Sequence, residues 1–273
     1  MRSPICDLLG IEFPLLAFSH CRDVVSEVSR AGGMGVFGAV SLPPDRLEEE
    51  LRWIDDHVGG KPYGVDLIVP NKIAGKGQTF SIDDMIAAVP DEHKAYAASI
   101  LARYDIDASD LDDVRRGHTN LGKNLQESGA AVSLEVAFRH PIKLIANALG
   151  VPPQIMLDMA KQHGVPCAAL VGTKQHAIRQ VEAGVDILVV SGGEAGGHCG
   201  DVSTLVLVPE VHEAIQPYRD VPILAAGGIV TGRQMAACMA MGAAGAWTGS
   251  VWLTTNEAET STVVKEKMLA ASS

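Results

Sequence analysis

The chain has 273 residues, 47% of them hydrophobic, with a formal charge of -11 from 22 Lys+Arg against 33 Asp+Glu. So acidic a balance offers no basic field to nucleic acid or to an anionic membrane, which leaves a small molecule as the expected partner. The five cysteines are scattered with no CxxC pair, no signal-like N-terminus is present, and no apolar run approaches about 20 residues; these features predict a reduced, cytoplasmic, non-membrane protein with no metal site.

Short apolar runs recur along the chain, each followed by a helix-like segment. Phe13–Phe18 is the first strand candidate, with a helix near Asp23–Ala31. Gly35–Ala39 is the second, and Pro44–Val58 follows with proline at the helix start and acidic residues in its first turns. Tyr63–Val69 is the third. Ile142–Asn147, Pro166–Val171, Ile187–Ser191, Ile223–Ala226 and Gly245–Thr248 bring the predicted strands to eight. Helices are expected at Pro153–His163, Thr173–Ala183, Leu207–Ile215 and Thr231–Met241. The strand runs are continuous, not alternating, as in a parallel sheet covered on both faces. Eight such units predict an α/β fold, a (β/α)8 TIM barrel, with an open doubly wound sheet as the alternative.

A stretch of different character interrupts the pattern after strand three. Residues 71–140 are dense in Asp, Glu, Lys and Arg, and Pro90 reads as a helix start, as does Ser81 before Asp84. The expected organisation is therefore a barrel of residues 1–70 and 141–273 with a helical insertion over 71–140. Its root lies at the C-terminal ends of the strands, where it is either a substrate-side lid or a surface appendage. His93 and His118 within it show no metal-ligand spacing. Only Val263–Ala271 remains for a closing helix, so an ordered tail beyond it is expected.

Glycine concentrates at the ends of three predicted strands. Strand six runs into SGGEAGGHCG (Ser191–Gly200), strand seven into AAGGI (Ala225–Ile229) and strand eight into TGS (Thr248–Ser250). Glycines after strands seven and eight expose backbone N–H groups beside a helix start, an arrangement that binds a phosphate without a basic side chain. A flat, phosphate-bearing ligand such as FMN explains so many missing side chains. Simple turn chemistry is the alternative.

EAGGH, AAGGI-x-TGR and the closing TGS, with the FPLLAFSHC turn, the AGGMGVFGA segment and the LGVPP run, resemble the nitronate monooxygenase family. The resemblance implies a TIM barrel holding non-covalent FMN, with His198 beside the flavin as catalytic base. It implies cofactor contacts from Ala17, Phe18 and Ser19 after strand one, Asp66 on strand three and Lys174 after strand five. Ser191, Gly192, Gly196 and Gly197 after strand six, Gly227 and Gly228 after strand seven, and Trp247, Thr248, Gly249 and Ser250 at strand eight complete the set. Four places depart from the family pattern: Asp66 stands where Asn is common, Ser191 for Gln, Trp247–Ser250 for QIGT, and Phe18–Ser19 for Pro-Met. The phosphate half of the site is thus the better preserved.

An imidazole exchanges protons at neutral pH, so His198 is the expected base, taking the α-proton of a nitroalkane or bonding nitronate oxygens. Glu194 either orients it, meets a ribityl hydroxyl or is simply solvated. Lys174 either reaches the cofactor or faces solvent. His20 and Cys21 are placed beside the substrate, and Cys199 lacks the partner base that a nucleophile needs. The expected activity is oxidation of alkyl nitronates or nitroalkanes with O2. Three alternatives are an NAD(P)H-dependent flavin enoyl-thioester reductase, a binding barrel without catalysis, and an inosine-monophosphate-dehydrogenase-like barrel. A homodimer is compatible with each.

Overall fold

A computed structural model describes residues 2–69, 87–107, 109, 127–197 and 199–272. Eight parallel strands close in sequence order into a barrel, each hydrogen-bonded to the next and β8 to β1. They are β1 Leu15–Ser19, β2 Met34–Gly38, β3 Tyr63–Leu67, β4 Leu144–Asn147, β5 Cys167–Val171, β6 Ile187–Ser191, β7 Ile223–Ala226 and β8 Gly245–Thr248. Every predicted strand is present, shifted by at most a few residues. This is the (β/α)8 architecture, and the open-sheet alternative falls with the closure of β8 on β1.

Period-two alternation sorts the side chains of each strand between two cores. Leu16, Met34, Val36, Leu144, Ile187 and Val189 fill the barrel interior. Leu188, Val190, Ile223 and Ala225 point outward against Leu207, Val208 and Val211 of the helix Thr204–Ile215. Both faces of a strand are therefore dry, which is why its sequence reads as an unbroken apolar run.

Two elements differ from the sequence expectation. A helix over Pro4–Leu9 precedes β1 and buries Ile5, Cys6 and Leu9 in the same cluster as the interior strand residues. It plugs the end of the barrel where the strands begin. The second is a helix over Glu127–Phe138, inside the span read as an insertion. Its Leu134, Ala137 and Phe138 join Leu47, Leu51 and Ile54 of the helix Pro44–His57 in one core. It serves as the outer helix between β3 and β4, so the barrel resumes before residue 141.

Within the remaining described part of that span, Asp91–Ala102 is a helix opening after Pro90, with no buried residue. Its Tyr96 is exposed, and His93 sits 3.9 Å from Glu92 at the surface. The expected helix start at Ser81 and the residue His118 lie outside the described residues. Among the described residues, no helix is long and apolar enough to cross a membrane. No group of His, Cys, Asp and Glu among them is arranged to hold a metal.

Candidate active site

The last inward-facing residues of seven strands, with Ala148 just after β4, stand above the packed barrel interior and form the floor of a cavity of about 740 Å³. That volume lies within the usual range for a cofactor or ligand pocket, about 300–1,000 Å³. Phe18 of β1 and Trp247 of β8 stack with ring centroids 6.3 Å apart and supply much of the apolar floor. Ser191 and Ala226 are small, which keeps the floor low under β6 and β7.

Most of the residues singled out in the sequence meet here. Phe18 and Ser19, then Asp66, then Ser191, Gly196 and Gly197 line the cavity from β1, β3 and β6. Gly227 and Gly228 line it after β7, and Trp247, Thr248, Gly249 and Ser250 from β8 onward. His20 and Cys21 are on the wall as well. His198 lies outside the described residues.

Three expected cofactor contacts sit elsewhere. Ala17 faces away from the barrel axis, buried with Val24 and Val28 of the helix Arg22–Arg30. Lys174 donates from Nζ to Glu210 Oε1 at 2.8 Å, which ties the helix Lys174–Ala183 to its neighbour Thr204–Ile215. Gly192 is demanded by packing: a Cβ there would lie 2.3 Å from the Thr204 amide nitrogen.

Glu194 is exposed on the cavity wall, and one of its carboxylate oxygens is taken by a helix start. Its Oε2 accepts from the Thr204 amide at 2.8 Å and lies 2.9 Å from the Thr204 hydroxyl. The helix Thr204–Ile215 has no cap from its own Ser203, so this carboxylate, reaching over from the β6 loop, satisfies its first amide. The Thr204 amide bond holds the Glu194 carboxyl below its ordinary range. The same hydroxyl lies 3.1 Å from the carbonyls of Ala226 and Gly227, and its one proton serves one acceptor at a time. One threonine thus joins the β6 loop, a helix start and the β7 exit.

The phosphate-binding expectation is modified in one respect. The helix Gly232–Ala240 opens with a capping box in which Gln234 Oε1 accepts from the amides of Val230 and Thr231, each at 2.9 Å. Those amides are occupied by the protein itself. Among the described residues, no backbone acceptor takes the amides of Gly228, Gly249 or Ser250. All three residues line the cavity. Gly228 has φ +69°, a backbone conformation that a residue with a Cβ rarely adopts.

Asp66 is the second unusual feature. It is only 4% exposed, it lines the cavity, and its Oδ1 has no hydrogen-bond partner. Burial pushes its carboxyl up to about 7, so a proton is retained far above the ordinary aspartate range. A buried orphan of this kind calls for a ligand partner or carries an uncompensated cost. Bare amides on one side and an unsatisfied carboxyl on the other fit a flat mononucleotide whose ring system has its own donors and acceptors.

The segment after β8 supplies wall residues that the sequence reading missed. Trp252, in the short 3-10 helix Ser250–Thr254, donates from Nε1 to Thr248 Oγ1 at 3.0 Å, and Thr248 donates on to Leu16 O at 3.0 Å. Trp252, Ala258, Glu259 and Thr260 all line the cavity. No motif marks them, because their placement depends on the chain folding back over the barrel mouth.

A closed (β/α)8 barrel with a glycine-walled cavity at the C-terminal ends of its strands defines a ligand-binding barrel of the enzyme type. The family model described as nitronate monooxygenase matches residues 2–273, and the chain belongs to that family. It is 53% identical to "Putative monooxygenase Rv1533" of Mycobacterium tuberculosis, over all of this chain and 72% of that one. Among solved structures, the FabK (M276A) mutant from Thermotoga maritima matches with a TM-score of 0.73 and 25% identity, over 100% of this chain and 72% of that one. Nitroalkane oxidase from Streptomyces ansochromogenes shares the fold, with a TM-score of 0.75 and 24% identity over 96% of this chain and 71% of that one. The protein is a flavin-dependent oxidoreductase of the nitronate monooxygenase type.

Proposed function

We propose that the cavity binds FMN non-covalently and that the protein oxidises alkyl nitronates and nitroalkanes with O2. The observation that carries this reading is the bare backbone wall: Gly228, Gly249 and Ser250 present unclaimed amides to the cavity in a chain matched nearly end to end by the nitronate monooxygenase family. Those amides would receive the phosphate. Phe18 and Trp247 would keep water from the ring side, and Asp66 would complete a hydrogen bond with the cofactor or substrate. When bound, FMN supplies the electron transfer and the reaction with O2.

His198, in the EAGGH loop that Glu194 ties to Thr204, is the proposed base beside the flavin. Its task is to take the α-proton of the substrate or to donate to nitronate oxygens. A cytoplasmic location and a small-molecule partner complete the proposal.

Anaerobic mixing of the FMN-loaded protein with an alkyl nitronate tests it: the visible flavin absorbance should bleach, and His198→Ala should slow turnover by about 10²-fold or more. A colourless protein that takes up no FMN sinks the reading, as does turnover indifferent to His198→Ala. A second reading, an NAD(P)H-dependent enoyl-thioester reductase, is favoured by the likeness to FabK over the whole chain. Bleaching by NAD(P)H alone, without response to nitronate, selects it.

A further inference from the structure

The described lining of the cavity contains no lysine or arginine, and its titratable residues are His20, Cys21, Asp66, Glu194 and Glu259. Most are unsuited to accept a proton from carbon. Cys21 Sγ is buried and donates to Glu257 O at 3.0 Å. Glu194 is held by Thr204, and burial favours the protonated form of Asp66, whose Oδ1 no described residue orients. Glu259 is an exposed carboxylate at the rim.

His20 is different. Its ring meets Phe18 edge-on, with centroids 5.0 Å apart and planes at 81°. Its Nδ1 lies 2.7 Å from Gly38 O on β2. A carbonyl only accepts, so Nδ1 carries the proton and the neutral ring keeps its lone pair on Nε2. No described residue engages Nε2. Gly38 is what makes the seat: a Cβ there would lie 2.8 Å from both Cε1 and Nδ1 of His20 and 2.6 Å from Phe18 Cζ. The imidazole is thus oriented from two sides, in a fixed tautomer, on the cavity wall.

We infer that the base for a neutral nitroalkane is His20, whose Nε2 removes the α-proton, which leaves His198 the other of its two tasks, donating to nitronate oxygens. This rests on the nitronate reading above and extends it to the uncharged nitro compound. The C–H bond breaks and its proton passes to Nε2. The C–H electron pair becomes the C=N bond, and the N=O pair moves onto oxygen to give the nitronate. No oxidant takes part. The resulting imidazolium still donates from Nδ1 to Gly38 and becomes the one cation among the described lining residues, facing the anion it has just formed. It stands at β1, three strands from the β6 loop that carries His198.

Proton removal alone can be read without cofactor, by following loss of the α-hydrogen signal of nitroethane in D2O with the flavin-free protein. His20→Asn places an amide nitrogen where Nδ1 stands, so it retains the bond to Gly38 O and lacks a basic lone pair. Exchange by the wild type should fall by about 10²-fold or more in this variant. In the FMN-loaded proteins, turnover of neutral nitroethane relative to preformed ethyl nitronate should fall by a similar factor. A wild type that does not accelerate exchange, or a variant within about threefold of it, overturns the inference. Should His20→Asn not fold, long-range 1H–15N correlations of the wild type decide: a proton on Nδ1 with a bare Nε2 upholds the assignment, and a proton on Nε2 overturns it. A loaded enzyme that ignores nitronate while exchange persists removes the oxidase reading and leaves the base in place.

Discussion

Asp66 places a nearly buried acid at the cavity floor, and this has a measurable consequence for folding. Burial pushes its carboxyl up to about 7 from an ordinary value of 3.8. Between those values the folded protein holds a proton that the unfolded chain has released. The stability contribution is therefore negative and grows as pH rises through this window, levelling off above about 7. In flavin-free protein, Asp66→Asn removes the effect, so its Tm advantage over wild type should widen from pH 4 to 7 and then stay constant. The gap amounts to a few kcal/mol, because each tenfold change in acidity is worth about 1.4 kcal/mol. A gap independent of pH rejects the buried neutral acid.

Gly38→Ala makes a second expectation at this scale. The atoms nearest the added methyl belong to the Phe18 and His20 rings, which can turn aside, so the fold should persist while both rings leave their seats. Displaced His20 ring signals with a Tm near wild type are the expected result, and unchanged signals count against the seat. The sequence identified Phe18, His20 and Asp66 as neighbours of the site but not the contact between Gly38 and two rings. That contact joins residues 18 to 20 apart and has no local signature.

At the scale of elements, the β6 loop depends on a contact that crosses from one unit to the next. Glu194 caps a helix that begins ten residues later, at Thr204. Removing such a cap costs about 1 kcal/mol. Glu194→Ala should therefore lower Tm modestly but reduce kcat/KM by more than that loss explains, because the loop bearing position 198 loses its tether. Equal modest effects on both would reduce Glu194 to a helix cap. Gln234→Ala should likewise cost about 1 kcal/mol, by opening the capping box at Thr231, with denaturant midpoints as the measure. The Thr-x-x-Gln signature stands in TGRQ, but the glycines beside it equally suit a phosphate loop. The partner of Glu194 was not legible, since EAGGH records no trace of where its carboxylate lands.

At the scale of the whole molecule, the eight strands were legible because burial on both faces leaves unbroken apolar runs. The barrel followed from their number. The helix Glu127–Phe138 was not, because it follows a long charged stretch and its ESGAAVSLEVAF mixes apolar and polar residues without a clean stripe. The Pro4–Leu9 plug was hidden for another reason: six residues are too short for helical periodicity to emerge. Its burial still matters. Ile5 is fully buried under the barrel, so Ile5→Ala should cost about 2–4 kcal/mol in chemical unfolding. A loss below about 1 kcal/mol would mean that the plug frays from the barrel in solution.

The absence of lysine and arginine from the described cavity wall reverses the usual ionic-strength behaviour of nucleotide capture. A grip made of neutral peptide dipoles has little to lose from added salt, whereas a chain carrying -11 repels an incoming dianion over long range. Raising salt from about 0.01 to 0.15 M shortens the reach of that repulsion from roughly 30 to 8 Å. Association of FMN should therefore quicken across this range while its off-rate stays nearly constant, the opposite of a pocket built on cationic side chains.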